Sequence, residues 1–182
     1  MIEKDLIKGC IQKDGACQRR LFELYASKMM SVCLRFANDQ QEAKDIFQES
    51  FIKVFDCMHQ FKFEGNFEGW MRRVFVSVAT RHIKKRKLNF ADIDMLEIND
   101  TSLDQSALSK IAEEEIHKLI LTLPYGYRVV FNLNVIDGYS HDEIAKMLGI
   151  QATTSRTQLL KARKMLQTLI IKQHNLLYHE QR

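Results

Sequence analysis

The sequence predicts an all-α protein: two helical domains joined by a flexible acidic linker, the C-terminal domain a helix-turn-helix. Three observations predict this class. Apolar residues recur at intervals of three and four along most of the chain, not at the alternation of a half-buried strand. Gly (7) and Pro (1) are scarce among 182 residues, too few for the many turns of a sandwich or barrel. Charge is also segregated: no acidic residue lies between Glu68 and Asp92, where Arg72, Arg73, Arg81, Lys84, Lys85, Arg86 and Lys87 fall. From Leu88 to Ser109 there is no Lys or Arg, while Asp92, Asp94, Glu97, Asp100 and Asp104 accumulate. Beyond Ile150 the chain turns basic again, with Arg156, Lys161, Arg163, Lys164 and Lys172. Two basic segments around an acidic spacer point to two surfaces that face polyanions, although the net charge is only +4.

The elements follow in order. Leu6, Ile7, Cys10 and Ile11 form a short helical stripe. Leu21, Leu24, Tyr25, Met29, Val32, Cys33 and Phe36 form a longer one. After the polar break at Asn38-Asp39-Gln40-Gln41, a third stripe runs Ala43, Ile46, Phe47, Phe51, Val54, Phe55, Met58. The irregular aromatic stretch Phe61 to Phe67 leads into a fourth helix over about residues 68–87, carrying Trp70, Val74, Val78 and Ile83. Periodicity then stops, and residues 89–107 read as the linker between a domain at 1–88 and another at 108–182.

The second domain restarts with Ile111, Ile116, Leu119, Ile120 and Leu123. Pro124 suits the first turn of the next helix, where no N–H is needed. That helix carries Val129, Val130, Phe131, Leu133 and Ile136 and ends at Asp137-Gly138. Ser140 and Glu143 have the spacing of a capping box. Gly149 stands where the turn between two helices needs a positive φ. The last helix, from about Ala152 past Leu166, buries Leu159, Ala162 and Leu166. Its opposite face is expected to hold Thr154, Arg156, Thr157, Gln158, Lys161 and Lys164. Arg and Gln on such a helix can read base edges in a major groove, while hydroxyls and lysines take phosphates.

Elsewhere the chemistry is that of binding. Asp45, Gln48, Glu49 and Lys53 share a polar helix face, with Glu49 and Lys53 at the spacing of an i,i+4 ion pair. Phe61, Phe63, Phe67 and Trp70 precede the basic helix, and aromatics beside cations suit unpaired bases; Phe67 and Trp70 also fit core packing. The four cysteines (Cys10, Cys17, Cys33, Cys57) form no CxxC pair and read as buried free thiols in a reducing compartment. No catalytic residue, metal site or cofactor is expected, nor a membrane span or signal peptide, and the expected location is the cytoplasm. Two other classes stay open on these residues alone. One is a stand-alone regulator with an N-terminal dimerisation or sensor domain, and the other is a nuclease holding a metal on Asp45 and Glu49.

The run Asp45-Ile46-Phe47-Gln48-Glu49-Ser50-Phe51-Ile52-Lys53-Val54-Phe55 resembles sigma region two, and Trp70-Met71-Arg72-Arg73-Val74 with its basic helix resembles that region's promoter-melting part. Leu123 to Phe131, Gly138 to Ala145, Leu148-Gly149-Ile150, Thr154 to Leu159 and Ala162-Arg163-Lys164 resemble sigma region four. Together they are similar to the extracytoplasmic-function class of sigma-70 factors. The resemblance implies that Asp45, Gln48, Glu49 and Lys53 dock on core RNA polymerase. It implies that Phe61, Phe63, Trp70, Arg73, Ser77, Arg81, Lys84 and Lys85 capture the melted −10 strand of promoter DNA. Thr153, Thr154, Arg156, Thr157, Gln158, Lys161 and Lys164 would read the −35 duplex. The linker would thread toward the RNA exit path, and an anti-sigma factor is a further partner common to the class. Ser77 stands where relatives often carry Asn, and Thr153 where Gly is common.

Overall fold

The structure, a computed structural model, describes residues 3–85 and 113–179; the linker expected at 89–107, Arg86, Lys87 and Ile111 lie outside them. All regular elements among the described residues are helices, in two compact units, residues 1–87 and 88–182. In the first unit they are α1 (Glu3–Ile11), α2 (Gly15–Phe36), α3 (Gln40–Cys57), a 3₁₀ turn (Met58–Gln60) and α4 (Phe67–Lys85). In the second they are α5 (Glu113–Thr122), α6 (Tyr125–Phe131), a π turn (Asn132–Ile136), α7 (His141–Leu148) and α8 (Ala152–His179).

The first unit is organised by its apolar stripes. Asp14 and Asp39 accept hydrogen bonds from the Cys17 and Glu42 backbone N–H groups, which starts α2 and α3 at fixed points. Leu21, Met29, Cys33, Phe36, Ala43, Ile46, Val54, Met71, Phe75 and Val78 are then fully buried between α2, α3 and α4. The stripe read for α2 is too broad in one place: Leu24 is half exposed. Phe47, Phe51 and Phe75 meet edge to face, with Phe51 and Phe75 centroids 5.2 Å apart at 89°. That arrangement favours the positive ring edge over a negative ring face. Gly9 lets α1 lie close on α2, since a Cβ there would stand 2.3 Å from the Cys17 sulfur. The four thiols are free. Burial pushes Cys10 up to about 11 and Cys33 up to about 12, so both stay protonated and packed as small apolar groups.

The second unit is built from shorter helices and is shaped by its turns. Ile120, Leu123, Tyr127, Ala162 and Leu166 form a buried cluster that binds α5 and α6 to α8. Pro124 sits at the cap of α6, with ψ 142°, one residue ahead of the helix it was expected to begin. Extended backbone there lets the chain turn sharply out of α5. The π turn is the element that periodicity does not reveal. Asp137 N–H donates to the Asn132 carbonyl at 2.9 Å, five residues back. The extra residue rotates the end of the helix, so Leu133 is buried while Val135 and Ile136 face outward. Ile136 therefore does not join the core as its spacing implied.

Candidate nucleic-acid interface

The helix-turn-helix is held by local chemistry that can be followed atom by atom. Ser140 and Glu143 make both halves of the capping box: the Ser140 hydroxyl accepts from the Glu143 N–H, and the Ser140 N–H donates to the Glu143 carboxylate at 2.8 Å. The Ser140 hydroxyl also donates to that carboxylate at 2.7 Å, and this bond first, then the one from the Ser140 N–H, holds the Glu143 carboxyl below its usual range. Gly149 closes α7 at φ 73°, ψ 34°, and its N–H returns to the Ala145 carbonyl. A residue with a Cβ is strained in that conformation. Buried Ser155, on the second turn of α8, lies 2.9 Å from His141 Nδ1 at the start of α7, which ties the two helices together.

This docking decides which side of α8 is free. Ser155, Gln158, Leu159, Ala162 and Leu166 face inward, whereas Thr153, Arg156, Thr157, Leu160 and Arg163 are exposed. Thr154, Lys161 and Lys164 flank that face, half buried. Gln158 must therefore be corrected. Only 6% of it is exposed, so it belongs to the packed side of the helix and not to a surface that reads bases. The reason is geometric: at two residues from Arg156 and one from Leu159, it lies nearer the buried stripe than the outward one. The sequence reading also missed Leu160 and Arg163. Their signal was present, since both extend the 153, 156, 157 row by one further turn.

On α4 the outward row is Arg73, Ser77, Arg81, Lys84 and Lys85, all exposed, at steps of three and four residues. Arg72, beside them, is half buried and drawn toward Glu68 at 3.6 Å. The preceding loop is a cluster of rings. Phe61 packs 5.1 Å from Phe67 and 5.6 Å from Trp70, and Phe67 and Trp70 stack at 22°. Phe61 is the second correction: it is 6% exposed, a core residue under the loop and not a platform for a base. Phe63 takes the outward place instead. Its backbone is left-handed (φ 59°), it is 37% exposed, and the Lys4 ammonium lies 5.6 Å over its ring. Trp70 keeps a half-exposed edge beside the cationic row.

The polar face of α3 divides. Asp45, Gln48 and Lys53 are exposed, and Asp45 accepts from Gln41 Nε2 at 3.1 Å. Glu49 turns to α4 and not to Lys53: one carboxylate oxygen takes Arg81 at 3.0 Å, the other lies 2.6 Å from His82 Nε2. The His82 hydrogen bond, aided by the charges of Arg81 and Lys85, holds the Glu49 carboxyl below its usual range. Glu49 thus fastens α3 to α4 at the edge of the cationic row. Among the described residues, no group of three or more His, Cys, Asp or Glu side chains is placed to hold a metal, and no helix is long and apolar enough to cross a membrane.

Fold and site together define a helix-turn-helix protein that carries a second helical unit with its own cationic face. The family model for Sigma-70 region 2 matches residues 21–88, and that for Sigma-70, region 4 matches residues 113–166. RNA polymerase sigma-H factor of Pseudomonas aeruginosa is 28% identical, over 90% of this chain and 93% of its own length. ECF RNA polymerase sigma factor SigW of Bacillus subtilis is also 28% identical, over 91% and 95%. A co-crystal structure of the sigma factor RpoE with the anti-sigma factor NepR from Bartonella quintana matches at a TM-score of 0.48 and 18% identity, over 85% of this chain and 96% of that one. The chain belongs to the sigma-70 family, in its extracytoplasmic-function class, and is a sigma factor directing promoter-specific transcription.

Proposed function

We propose a division of labour within the chain. Residues 1–88 dock on core RNA polymerase and capture the melted −10 strand, residues 89–107 tether, and residues 108–182 read the −35 element as duplex. One observation carries this reading: each unit turns a row of cations and hydroxyl-bearing residues outward from a helix whose other side is buried. On α8 the outward row is Thr153, Arg156, Thr157, Leu160 and Arg163, whose donors suit the base edges and phosphates of a major groove. On α4 the row of Arg73, Ser77, Arg81, Lys84 and Lys85 follows the half-exposed Trp70 and Phe63. Cations there neutralise phosphates while exposed ring surface receives unstacked bases, which favours the opened strand over the duplex.

Asp45, Gln48 and Lys53 supply the polymerase-facing surface of α3. Glu49 supports that surface from its edge while held by Arg81 and His82. The same bonds argue against a nuclease: Glu49 spends both carboxylate oxygens on Arg81 and His82, and Asp45 gives one of its own to Gln41. The protein acts by binding and positioning, without covalent catalysis, in the cytoplasm where polymerase works.

The test is run-off transcription from genomic templates with core polymerase, with and without the full chain. A defined start site that appears only with the protein is the expected result, and its absence from every template would refute the reading. Arg156→Ala should then cost about 1–3 kcal/mol of promoter discrimination if its guanidinium reads a base. A phosphate contact would instead weaken all templates alike.

A further inference from the structure

We infer that Leu160 is a specificity residue of the α8 face, reading the C5-methyl group of a thymine within the −35 duplex. The inference rests on the reading of α8 given above and goes beyond it, to one residue and one base.

Leu160 is 57% exposed, the second most exposed large apolar residue described in the protein. A lone exposed leucine is ordinary on a protein surface. The position is what sets this one apart. It lies four residues from Arg156, three from Thr157 and three from Arg163, all exposed, so it occupies the middle of the outward row. Its neighbours Leu159 and Ala162 supply the packing against the domain, at 6% and 0% exposure, and Leu160 adds nothing to that core. A helix laid in the groove with Arg156 near the base edges brings Leu160 to the same depth one turn later.

Chemistry then narrows the partner. An isobutyl group can satisfy neither a phosphate nor a base-edge donor or acceptor. Burying it against G, C or A edges would strip those polar groups of water without replacing their hydrogen bonds. The major groove offers one apolar feature, the thymine methyl. Contact there removes two apolar surfaces from water at once. The flanking cations and hydroxyls hold the helix in register, and Leu160 discriminates.

The experiment selects −35 sequences from a randomised promoter library by transcription with reconstituted holoenzyme, for wild type and Leu160→Ala. Because the side chain is exposed and alanine favours helix, the variant should fold as the wild type does. The wild type is expected to select a thymine at one position whose preference the variant loses, with the rest of the motif retained. Replacing that thymine by deoxyuridine removes the methyl alone. It should lower wild-type transcription about fourfold, the weight of one buried methyl-sized group, and leave Leu160→Ala unchanged. Equal deoxyuridine sensitivity in both proteins, or an identical motif from both, overturns the assignment while leaving α8 as the −35 reader. Failure of the wild type to select any motif overturns both.

Discussion

The two units solve the same problem, holding a cationic helix face outward, by different means. In residues 3–85 the work is done by long-range packing: Phe47, Phe51 and Phe75 from α3 and α4 interlock, and α4 is fixed along its length. In residues 113–179 it is done by local backbone chemistry: a capping box, a left-handed glycine, a π turn and the Ser155–His141 contact aim α8. A long helix clamped by aromatic rings has little freedom to re-aim. A recognition helix hung on caps and turns depends on a few hydrogen bonds, each individually modest. Damage to the first unit should therefore appear as lost stability, and damage to the second as lost local order.

The largest effect is expected at Phe75. It is fully buried where α3 and α4 meet, so Phe75→Ala removes a ring that the surroundings cannot refill and should cost about 3–5 kcal/mol. The protein's single tryptophan, Trp70, lies on the same helix and reports the transition in a urea titration by fluorescence. A loss near that of a surface substitution would mean that aromatic interlock is not what holds α4.

Ser140→Ala should cost less, about 1 kcal/mol, because it removes one cap. Its signature is where it acts. Amide hydrogen exchange should speed at the first turn of α7, around Asp142, Glu143 and Ile144, with little change in the aromatic core of the first unit. A uniform rise in exchange across both units would break the contrast between packing-held and cap-held helices.

The same contrast explains what the sequence made legible. Elements set by local chemistry were readable at the residue: Ser140 with Glu143, and Gly149 at positive φ, because partner and cause lie within a few positions. The long apolar stripe tells which face of α3 is buried; on α4 the stripe Trp70, Val74, Val78 and Ile83 holds only for Val78 and Ile83, and Met71 and Phe75 carry the core there instead. Three features were beyond both signals. Phe61 and Phe63 sit in a loop with no period, so nothing in the string says which ring goes under; the left-handed backbone at Phe63 decides it. Gln158 is polar yet buried, because His141–Ser155 docking widens the inward side of α8 beyond its leucines. The π turn shifts register with no compositional mark, and so Ile136 looked like core. At the candidate interface, the outward cations on α4 are legible from charge segregation and from the family resemblance, and Arg156 on α8 from spacing, while the apolar member, Leu160, resembles a core residue in the sequence.

Glu49 gives the smallest expected effect and the most direct probe of how the first unit joins its two faces. Its partners stand 32 and 33 residues away on α4, a choice that i,i+4 spacing with Lys53 could not foretell. Its carboxyl is held below the usual value of 4.5, first by the His82 hydrogen bond and then by the surrounding cations. A depressed carboxylate contributes stability that is present above the unfolded-state value and is lost as pH falls through the lower, folded-state one. Because the side chain is 39% exposed, solvent screens the pair, and its worth should stay below about 1 kcal/mol. Glu49→Gln should thus lower stability slightly at pH 7 by Trp70 fluorescence. The gap from wild type should close as the solution is acidified past the folded-state value, where the native carboxyl is itself protonated. A gap of equal size at neutral and strongly acid pH would assign the loss to packing. The Glu49 fastening would then have no electrostatic part, and the cationic row on α4 would be held by the aromatic core alone.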